Sequence, residues 1–428
     1  MDFTQNQRLM QITENTLIIG VDIAKRKHVA RAIDDRGRDL VKRLVFENTL
    51  PGFKDLLTWV ETLRHVERRS DVIIGMEPTG HYWLNLAYYL QDLGFKVVVV
   101  NPLKVKRSKE MDDDSPTKND TKDAKVIAQL IKDGRFNEPT LPEELFAELR
   151  EGMKLHDMIQ EDLSSIKAQV HNLLDRYFPE FLTVFKDWTG RSALHLLTEG
   201  YFPVDIINTS EDVLLEEVNK VTKRSIGMKR IRALKTAAEN SVGIRVGLKM
   251  ARQEMAYLMD QYHGLAERLA SLENELVTLV MEVPGAEEMM NIKGIGAMTV
   301  VAFFSEVGDI TQYRDPRQII KLAGLNLKMN QSGLHKGRTS ITKRGRKRLR
   351  NILYQVAIPL AKHNAAFSQL HDYYRTRANN PLTGKQSFIA LARKLIKIFY
   401  VIGTRKCAFD PQRMMQDIPS LQGVQEAA

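Results

Sequence analysis

The stretch Leu17-Ile18-Ile19-Gly20-Val21-Asp22-Ile23 decides how the rest of the chain is read. It has the length and aliphatic, β-branched character of a buried strand, and only Asp22 departs from that character. An ionised carboxylate in such a run is costly unless a cation or hydrogen-bond donors compensate it. Working outward, His28 to Ile33 and Arg43 to Phe46 read as two further strands around the turn signal Asp34-Asp35-Arg36-Gly37, which predicts an antiparallel meander. Pro51 to Val66, Tyr82 to Leu93 and Thr121 to Lys132 then read as helices, alternating with strands Asp71 to Met76 and Lys96 to Val100. That alternation predicts a mixed α/β sheet ending near Pro142.

A second acid repeats the Asp22 arrangement. Glu77 closes the apolar strand Val72-Ile73-Ile74-Gly75-Met76, and Pro78-Thr79-Gly80 turns the chain at once. Asp120 and Asp123 stand three apart at the start of a helical run, a spacing that puts both carboxylates on one helix face. Four hard oxygen donors suit Mg2+ or Mn2+, and such ions polarise a scissile phosphate. Taken singly, the same residues also read as a strand-edge acid, a turn acid, an N-terminal cap and a helix-dipole acid. The order strand-Asp, strand-Glu, helix-Asp matches the acids of ribonuclease-H-like nucleases and favours the metal reading. Asp112, Asp113 and Asp114 read as a solvated run.

The 428 residues suffice for about three domains by length alone. Lys and Arg number 63 against 53 Asp and Glu, and a net charge of +10 favours a polyanionic partner, nucleic acid first. The single cysteine, Cys407, excludes an intramolecular disulfide and the Cys-rich zinc patterns. No stretch has the roughly 18 apolar residues of a membrane span and the first residues carry no apolar signal core, so the expectation is a cytoplasmic, nucleoid-associated protein.

The sheet is followed by helical heptads. Leu145, Leu149, Ile159, Leu163, Ile166, Val170 and Leu173 follow a 4-3 spacing interrupted at Gly152 and His156 and broken at Phe178-Pro179. A shorter helical stretch covers Trp188 to Val242, and a cleaner heptad runs from Leu248 through Met255, Leu258, Leu265 and Leu272 to Leu279. The two heptad helices are expected to pair, either as a hairpin within the chain or as an oligomerisation arm. Pro284-Gly285 punctuates their end. The resulting division is an N-terminal extension 1–15, an α/β domain 16–141, a helical coiled-coil region 142–284, a mostly helical C-terminal domain 285–410 and a tail 411–428.

Between Pro316 and His371 there is no acidic residue, while KGRTSITKRGRKRLR crowds cations into residues 336–350. Lys336, Arg338, Lys343, Arg344, Arg346, Lys347, Arg348 and Arg350 are therefore candidate nucleic-acid contacts, with a solvated basic face as the plainer account. Ile292-Lys293-Gly294-Ile295-Gly296, leading into the amphipathic run Thr299 to Val307, reads as a tight glycine turn entering a helix, of the kind that offers backbone N–H groups to a phosphate. Pro359 is expected to kink or end the helix Leu349 to Ala361, and Phe388 to Ile402 to supply its apolar partner.

Gly20-Val21-Asp22-Ile23-Ala24-Lys25, Glu77-Pro78-Thr79-Gly80-His81-Tyr82-Trp83, Asn101-Pro102 and Lys118-Asn119-Asp120-Thr121-Lys122-Asp123-Ala124 together resemble the DEDD transposases of bacterial insertion sequences and the related pilin-gene invertases. The resemblance implies a RuvC-like, RNase-H-like N-terminal domain with Asp22, Glu77, Asp120 and Asp123 as metal ligands. The glycine turn is similar to helix-hairpin-helix DNA-binding elements. Ala323-Gly324-Leu325, Gln331-Ser332-Gly333, Lys336-Gly337 and Ile341-Thr342-Lys343-Arg344-Gly345 look like the family's serine transposase domain, which makes Ser332 the implied nucleophile. From the residues alone Ser332 reads as a turn residue beside Gly333, with His335 the nearest histidine and Ser340 a second hydroxyl. The chain departs from the family pattern at Asn119, where Thr is common, in lacking proline between Leu325 and Gln331, and in its N-terminal extension.

The expectation is a DNA recombinase in which Ser332 attacks a phosphodiester held near the acids. The resemblance also implies a homo-oligomer, dimer or tetramer, with a composite site, and a structured guide RNA encoded beside the gene. The rivals are a metal-dependent nuclease or junction resolvase that uses water, and a non-catalytic nucleic-acid-binding protein.

Overall fold

The computed structural model describes residues 5–78, 80–112, 120–139, 141–142, 144–221, 227–328, 331–332, 335–336 and 339–416. Thr79, Asp113, Asp114, Lys118, Asn119, Gly333, Gly337, Arg338 and the tail from 417 lie outside them, as do the side chains of Asp120, Ser332 and Lys336. The chain forms two compact units, one of residues 1–143 with 312–318, the other of 144–311 with 319–428.

The first unit opens with helix α1 (Gln5–Leu9) and strands β1 (Thr16–Asp22), β2 (Lys27–Ile33) and β3 (Leu44–Glu47). Helix α2 (Leu50–Val66), β4 (Asp71–Met76), α3 (Trp83–Asp92) and β5 (Lys96–Val100) follow. Then come α4 (Pro102–Asp112), α5 (Asp120–Lys132) and β6 (Phe136–Asn137). The sheet runs β3-β2-β1-β4-β5-β6. The meander β1-β2-β3 is antiparallel and β1, β4 and β5 are parallel, so the mixed sheet expected from the alternation is present.

The period of two sorts this sheet's side chains into two cores. Leu17, Ile19, Val21, Ile74 and Met76 meet Phe53, Leu56 and Leu63 of α2 and Leu86 and Leu90 of α3. Ile18, Ile33, Ile73 and Val98 face Val126, Ile127, Leu130 and Ile131 of α5 on the other side. Helix α4 was not expected from the sequence, and it includes Asp112, the first of the three adjacent aspartates. Its sequence PLKVKRSKEMD has too few apolar residues to show a helical period.

The second unit is helical. Helices α6 (Glu144–Tyr177) and α12 (Leu248–Met281) each span 34 residues and pair antiparallel within the chain. Arg176 meets Glu254 at 2.8 Å near one end, and His156 meets Glu273 at 3.0 Å nearer the other. Gly152, where the heptad falters, is where Leu276 lies against α6: a Cβ there would sit 2.5 Å from Leu276 Cδ2. Between the two helices come α7 (Phe181–Val184), α8 (Arg191–Thr198), α9 (Pro203–Asn208), α10 (Glu211–Lys220) and α11 (Met228–Glu239). The single helical stretch expected from Trp188 to Val242 is thus broken, because Gly200 adopts a positive φ of 71°, Pro203 starts α9 and Ser210 caps α10. These short helices build a core with Leu173, Leu174, Met255 and Leu258.

Helices α13 (Ala286–Met290) and α14 (Ala297–Val307) flank the glycine turn. Helix α14 is buried continuously from Val300 to Ser305, so it is a central core helix and not the amphipathic one expected. Next come α15 (Pro316–Leu322) and four two-residue strands, β7 (Leu327–Lys328), β8 (Gln331–Ser332), β9 (His335–Lys336) and β10 (Ser340–Ile341). Helices α16 (Lys347–His363), α17 (Ala365–Thr376), α18 (Gly384–Arg405) and α19 (Pro411–Met415) complete the chain. Helix α16 does not end at Pro359 but continues to His363. Proline removes one hydrogen bond in the last turn, while buried Leu353, Val356, Ala357 and Leu360 keep that turn packed. Among the described residues no helix is long and apolar enough to cross a membrane.

Candidate catalytic and nucleic-acid-binding site

In the first unit Asp22 and Glu77 lie at the same end of neighbouring strands. The parallel register pairs Gly20 with Gly75 and Val21 with Met76, so Asp22 and Glu77 each come one residue after a matched pair. Gly20 and Gly75 both face α5. A Cβ on Gly20 would lie 2.2 Å from the Ala124 carbonyl oxygen, and one on Gly75 would lie 2.3 Å from Ile131 Cδ1. Only glycine permits that approach. Alternation carried two residues further aims Asp22 and Glu77 toward the same side.

Helix α5 runs antiparallel to β1. Near its C-terminal end Gln129 Nε2 donates to the Gly37 carbonyl at 3.1 Å, in the turn that follows Ile33, and Ile33 pairs with Ile18 near the start of β1. The N-terminal end of α5, with Asp120 and Asp123, therefore points toward the Asp22 end of the strand. Among the described residues no three His, Cys, Asp or Glu side chains converge tightly enough to hold a metal ion. The donor chemistry nonetheless fits Mg2+ or Mn2+, since the candidate ligands are all carboxylates.

In the second unit Ser332 ends β8 and pairs with His335 of β9, so the two backbones stand opposite each other. Close by, β7 pairs with β10, Leu327 with Ile341 and Lys328 with Ser340. Ser340, the second hydroxyl, thus lies in the other strand pair.

The basic run, which reads as one cationic face, divides in two. Lys343, Arg344 and Lys347 are exposed. Arg348 donates to the Met153 carbonyl at 3.0 Å and to Asp157 at 2.9 Å, tying α16 to α6. Arg346 donates to the Glu306 carbonyl of α14, and Arg350 donates to the Ala323 carbonyl at 3.0 Å. The guanidinium groups of these three arginines are engaged inside the unit. The turn Lys343-Arg344-Gly345 is fixed by Lys343 N–H donating to the Gly324 carbonyl at 3.0 Å and Arg346 N–H donating to the Leu322 carbonyl at 2.7 Å. A Cβ on Gly345 would lie 2.3 Å from the Leu322 carbonyl oxygen.

The glycine turn is ordered. Gly294 has a positive φ of 99° and Gly296 caps α14, while Asn364 Nδ2 donates to the Lys293 carbonyl at 3.1 Å. Gly294, Gly296 and Thr299 line a cleft of about 810 Å³ that Gln160 of α6 and Asn351 of α16 also border.

Residues 19–179 match the family model described as a transposase of the DEDD, IS110 type, and residues 286–375 match the model described as "Transposase IS116/IS110/IS902 family". The chain belongs to the IS110-type insertion-sequence transposases. Asp22, Glu77, Asp120 and Asp123 fall inside the first matched span, and Ser332 with the whole basic run inside the second. The chain is 25% identical to an uncharacterized protein of insertion element IS116 from Streptomyces clavuligerus, over 94% of this chain and 98% of that one. It is 22% identical to a pilin gene-inverting protein of Moraxella bovis, covering 92% and 97% of the two chains. The transposase of insertion element IS1111A from Coxiella burnetii is also 22% identical, over 91% and 90%. The protein is accordingly a DNA transposase and recombinase.

In this transposase two residues without a role in the sequence analysis, His28 and Asn48, support the turn after Asp22. His28 Nδ1 accepts the Ala24 N–H at 3.2 Å, and Asn48 Nδ2 donates to the Lys25 carbonyl at 3.3 Å. Burial pushes His28 below its ordinary value, with the neighbouring Asn48 side chain partly offsetting the drop. A histidine at a buried strand position, one residue before the partner of Asp22, was the available signal.

Proposed function

We propose that the transposase breaks and rejoins DNA by attack of Ser332 on a phosphodiester held beside the acids at the Asp22 end of the first unit. The observation that supports this reading is the shared end: β1 finishes at Asp22, the matched strand β4 finishes one residue before Glu77, and the first turns of α5 lie toward that end. Asp22, Glu77, Asp120 and Asp123 would hold Mg2+ or Mn2+, which supplies positive charge against the phosphate oxygens. The four carboxylates orient that charge and repel the DNA backbone unless it is neutralised. The Ser332 oxygen forms a bond to phosphorus as the bond to one deoxyribose oxygen breaks, which frees a strand hydroxyl. A strand hydroxyl then attacks the phosphoserine diester and releases the serine, so that bond energy is conserved and no nucleotide cofactor is consumed.

Exposed Lys343, Arg344 and Lys347 contact backbone phosphates, with Lys336 and Arg338 continuing the basic run. In this reading residues 16–141 form an RNase-H-like catalytic region, 142–284 a coiled-coil region that supports a homo-oligomer, and 285–410 the serine region with its helix-hairpin-helix-like turn. A structured guide RNA pairing with element and target DNA is the partner the family resemblance implies, and the basic charge suits it.

The test is detection, on a denaturing gel, of a covalent protein-DNA adduct with Mg2+, labelled element-junction DNA and the flanking RNA. An adduct lost in both Ser332→Ala and Asp120→Ala supports the reading. Cleavage without adduct that survives Ser332→Ala would leave a water-using nuclease.

A further inference from the structure

The β1–β2 turn joins the end of the acid strand to an exposed, cationic tip. Ala24, Lys25, Arg26 and Lys27 are all exposed, and they begin two residues after Asp22. Exposed basic turns of this kind commonly fray, but this one is tied from beneath at successive residues. His28 Nδ1 takes the Ala24 N–H at 3.2 Å, Asn48 Nδ2 donates to the Lys25 carbonyl at 3.3 Å, and Asn48 N–H donates to the Arg26 carbonyl at 2.8 Å.

The clamp is itself fixed. His28 is fully buried, with its ring edge-on to Phe46 at 5.2 Å and stacked on Phe53 at 6.4 Å. Because Nδ1 accepts, the neutral ring carries its proton on Nε2. In register with the turn, Glu47 lies opposite Lys27. The clamp uses the carbonyls of Lys25 and Arg26, not their side chains.

We infer that this turn grips the phosphodiester backbone of the DNA being cut: His28 and Asn48 hold its main chain so that Lys25, Arg26 and Lys27 meet phosphates flanking the one at Asp22. The inference rests on the assignment of Asp22 to the catalytic end, and it adds a binding element and two positioning residues to that end. A rigid turn loses little conformational freedom on binding, so its cations contribute more than the same charges on a loose loop. Fixed spacing from Asp22 also sets which phosphate enters the acid end.

The experiment measures binding of the full-length protein to a fluorescein-labelled duplex of random sequence, and to a labelled single-stranded RNA, by anisotropy over a series of salt concentrations. Each phosphate contact contributes about 0.9 to the slope of log K against log salt on duplex DNA. The variant Lys25→Gln/Arg26→Gln/Lys27→Gln is expected to lower the duplex slope by roughly 2 to 3 with unchanged thermal unfolding. His28→Phe, which keeps the ring but loses the acceptor, is expected to weaken the duplex slope although all three cations remain, and His28→Gln to restore part of it. An unchanged duplex slope in the triple variant overturns the grip, and a fall seen with RNA alone overturns DNA as its occupant. Neither measurement needs cleavage, so cleavage that persists in Asp22→Asn would sink the acid assignment and leave the grip decided separately.

Discussion

The acid end and the serine hairpin, both needed for the proposed chemistry, are built by opposite means. Asp22 ends, and Glu77 immediately follows, a strand buried on both faces, with a helix seated against two glycines. Ser332 belongs to a two-residue strand paired with another two-residue strand. The first is positioned by apolar packing of the sheet against its helices, the second by the backbone pairing of β8 with β9. The contrast teaches that the two acids inherit their placement from a packed core, whereas the serine inherits its placement from one short ladder.

The sharpest break of that comparison comes from the chemistry. Ser332→Ala and Asp22→Asn are each expected to cut strand transfer by at least about a thousandfold, because both remove a group acting on the reacting phosphate. Single-turnover assays on element-junction DNA read this, and retention of activity in either would remove that residue from the mechanism. Next in size is Gly20→Val, whose side chain meets the Ala124 carbonyl. It should destabilise the first unit by about 1–3 kcal/mol or more and abolish activity, whereas Lys328→Ala, at an exposed position of short β7, should change stability by no more than about 0.5 kcal/mol. Denaturant unfolding of both variants checks the difference.

A smaller effect separates the two kinds of cation in the basic run. Arg348→Ala loses hydrogen bonds to Asp157 and the Met153 carbonyl and should destabilise the second unit by roughly 1–2 kcal/mol. Lys347→Ala should leave stability alone and reduce the salt slope of DNA binding by about 0.9. The smallest effect is with pH. Burial holds His28 below its ordinary 6.5, so the unfolded chain takes up the proton first as pH falls. Stability of the first unit is full above about that value and declines below it, and His28→Phe should flatten the decline in thermal melts between neutral and mildly acidic pH.

The five longer strands of the sheet were legible because β1, β4 and β5 are largely apolar runs and the turns carry Gly, Pro and Asp, whereas two-residue β6 escaped notice. The 34-residue helices were legible because their heptads are long enough to average over single exceptions such as Gly152. What stayed hidden lacks a period. Helix α4 is too polar, and strands of two residues in β7 to β10 are too short for alternation to register. The continuation of α16 through Pro359 is decided by tertiary packing that no local rule contains. At the site, Asp22 and Glu77 were visible as acids out of place in apolar strands, but their common face follows from the Gly20–Gly75 register, which is a pairing between distant segments. The division of the arginines was equally invisible, since Arg348 and Lys347 differ only in which way one helical step points them.

The antiparallel hairpin of α6 and α12 has a consequence for how length is encoded in this protein. At 1.5 Å per residue each helix is about 50 Å long, and because the chain goes out along one and back along the other, it leaves and returns at the same end. Excising one matched heptad from each helix would draw the cap of short helices inward by about 10 Å without moving either point of attachment. The hairpin is thus a telescoping spacer, adjustable in paired seven-residue steps while the segments at its base keep their register.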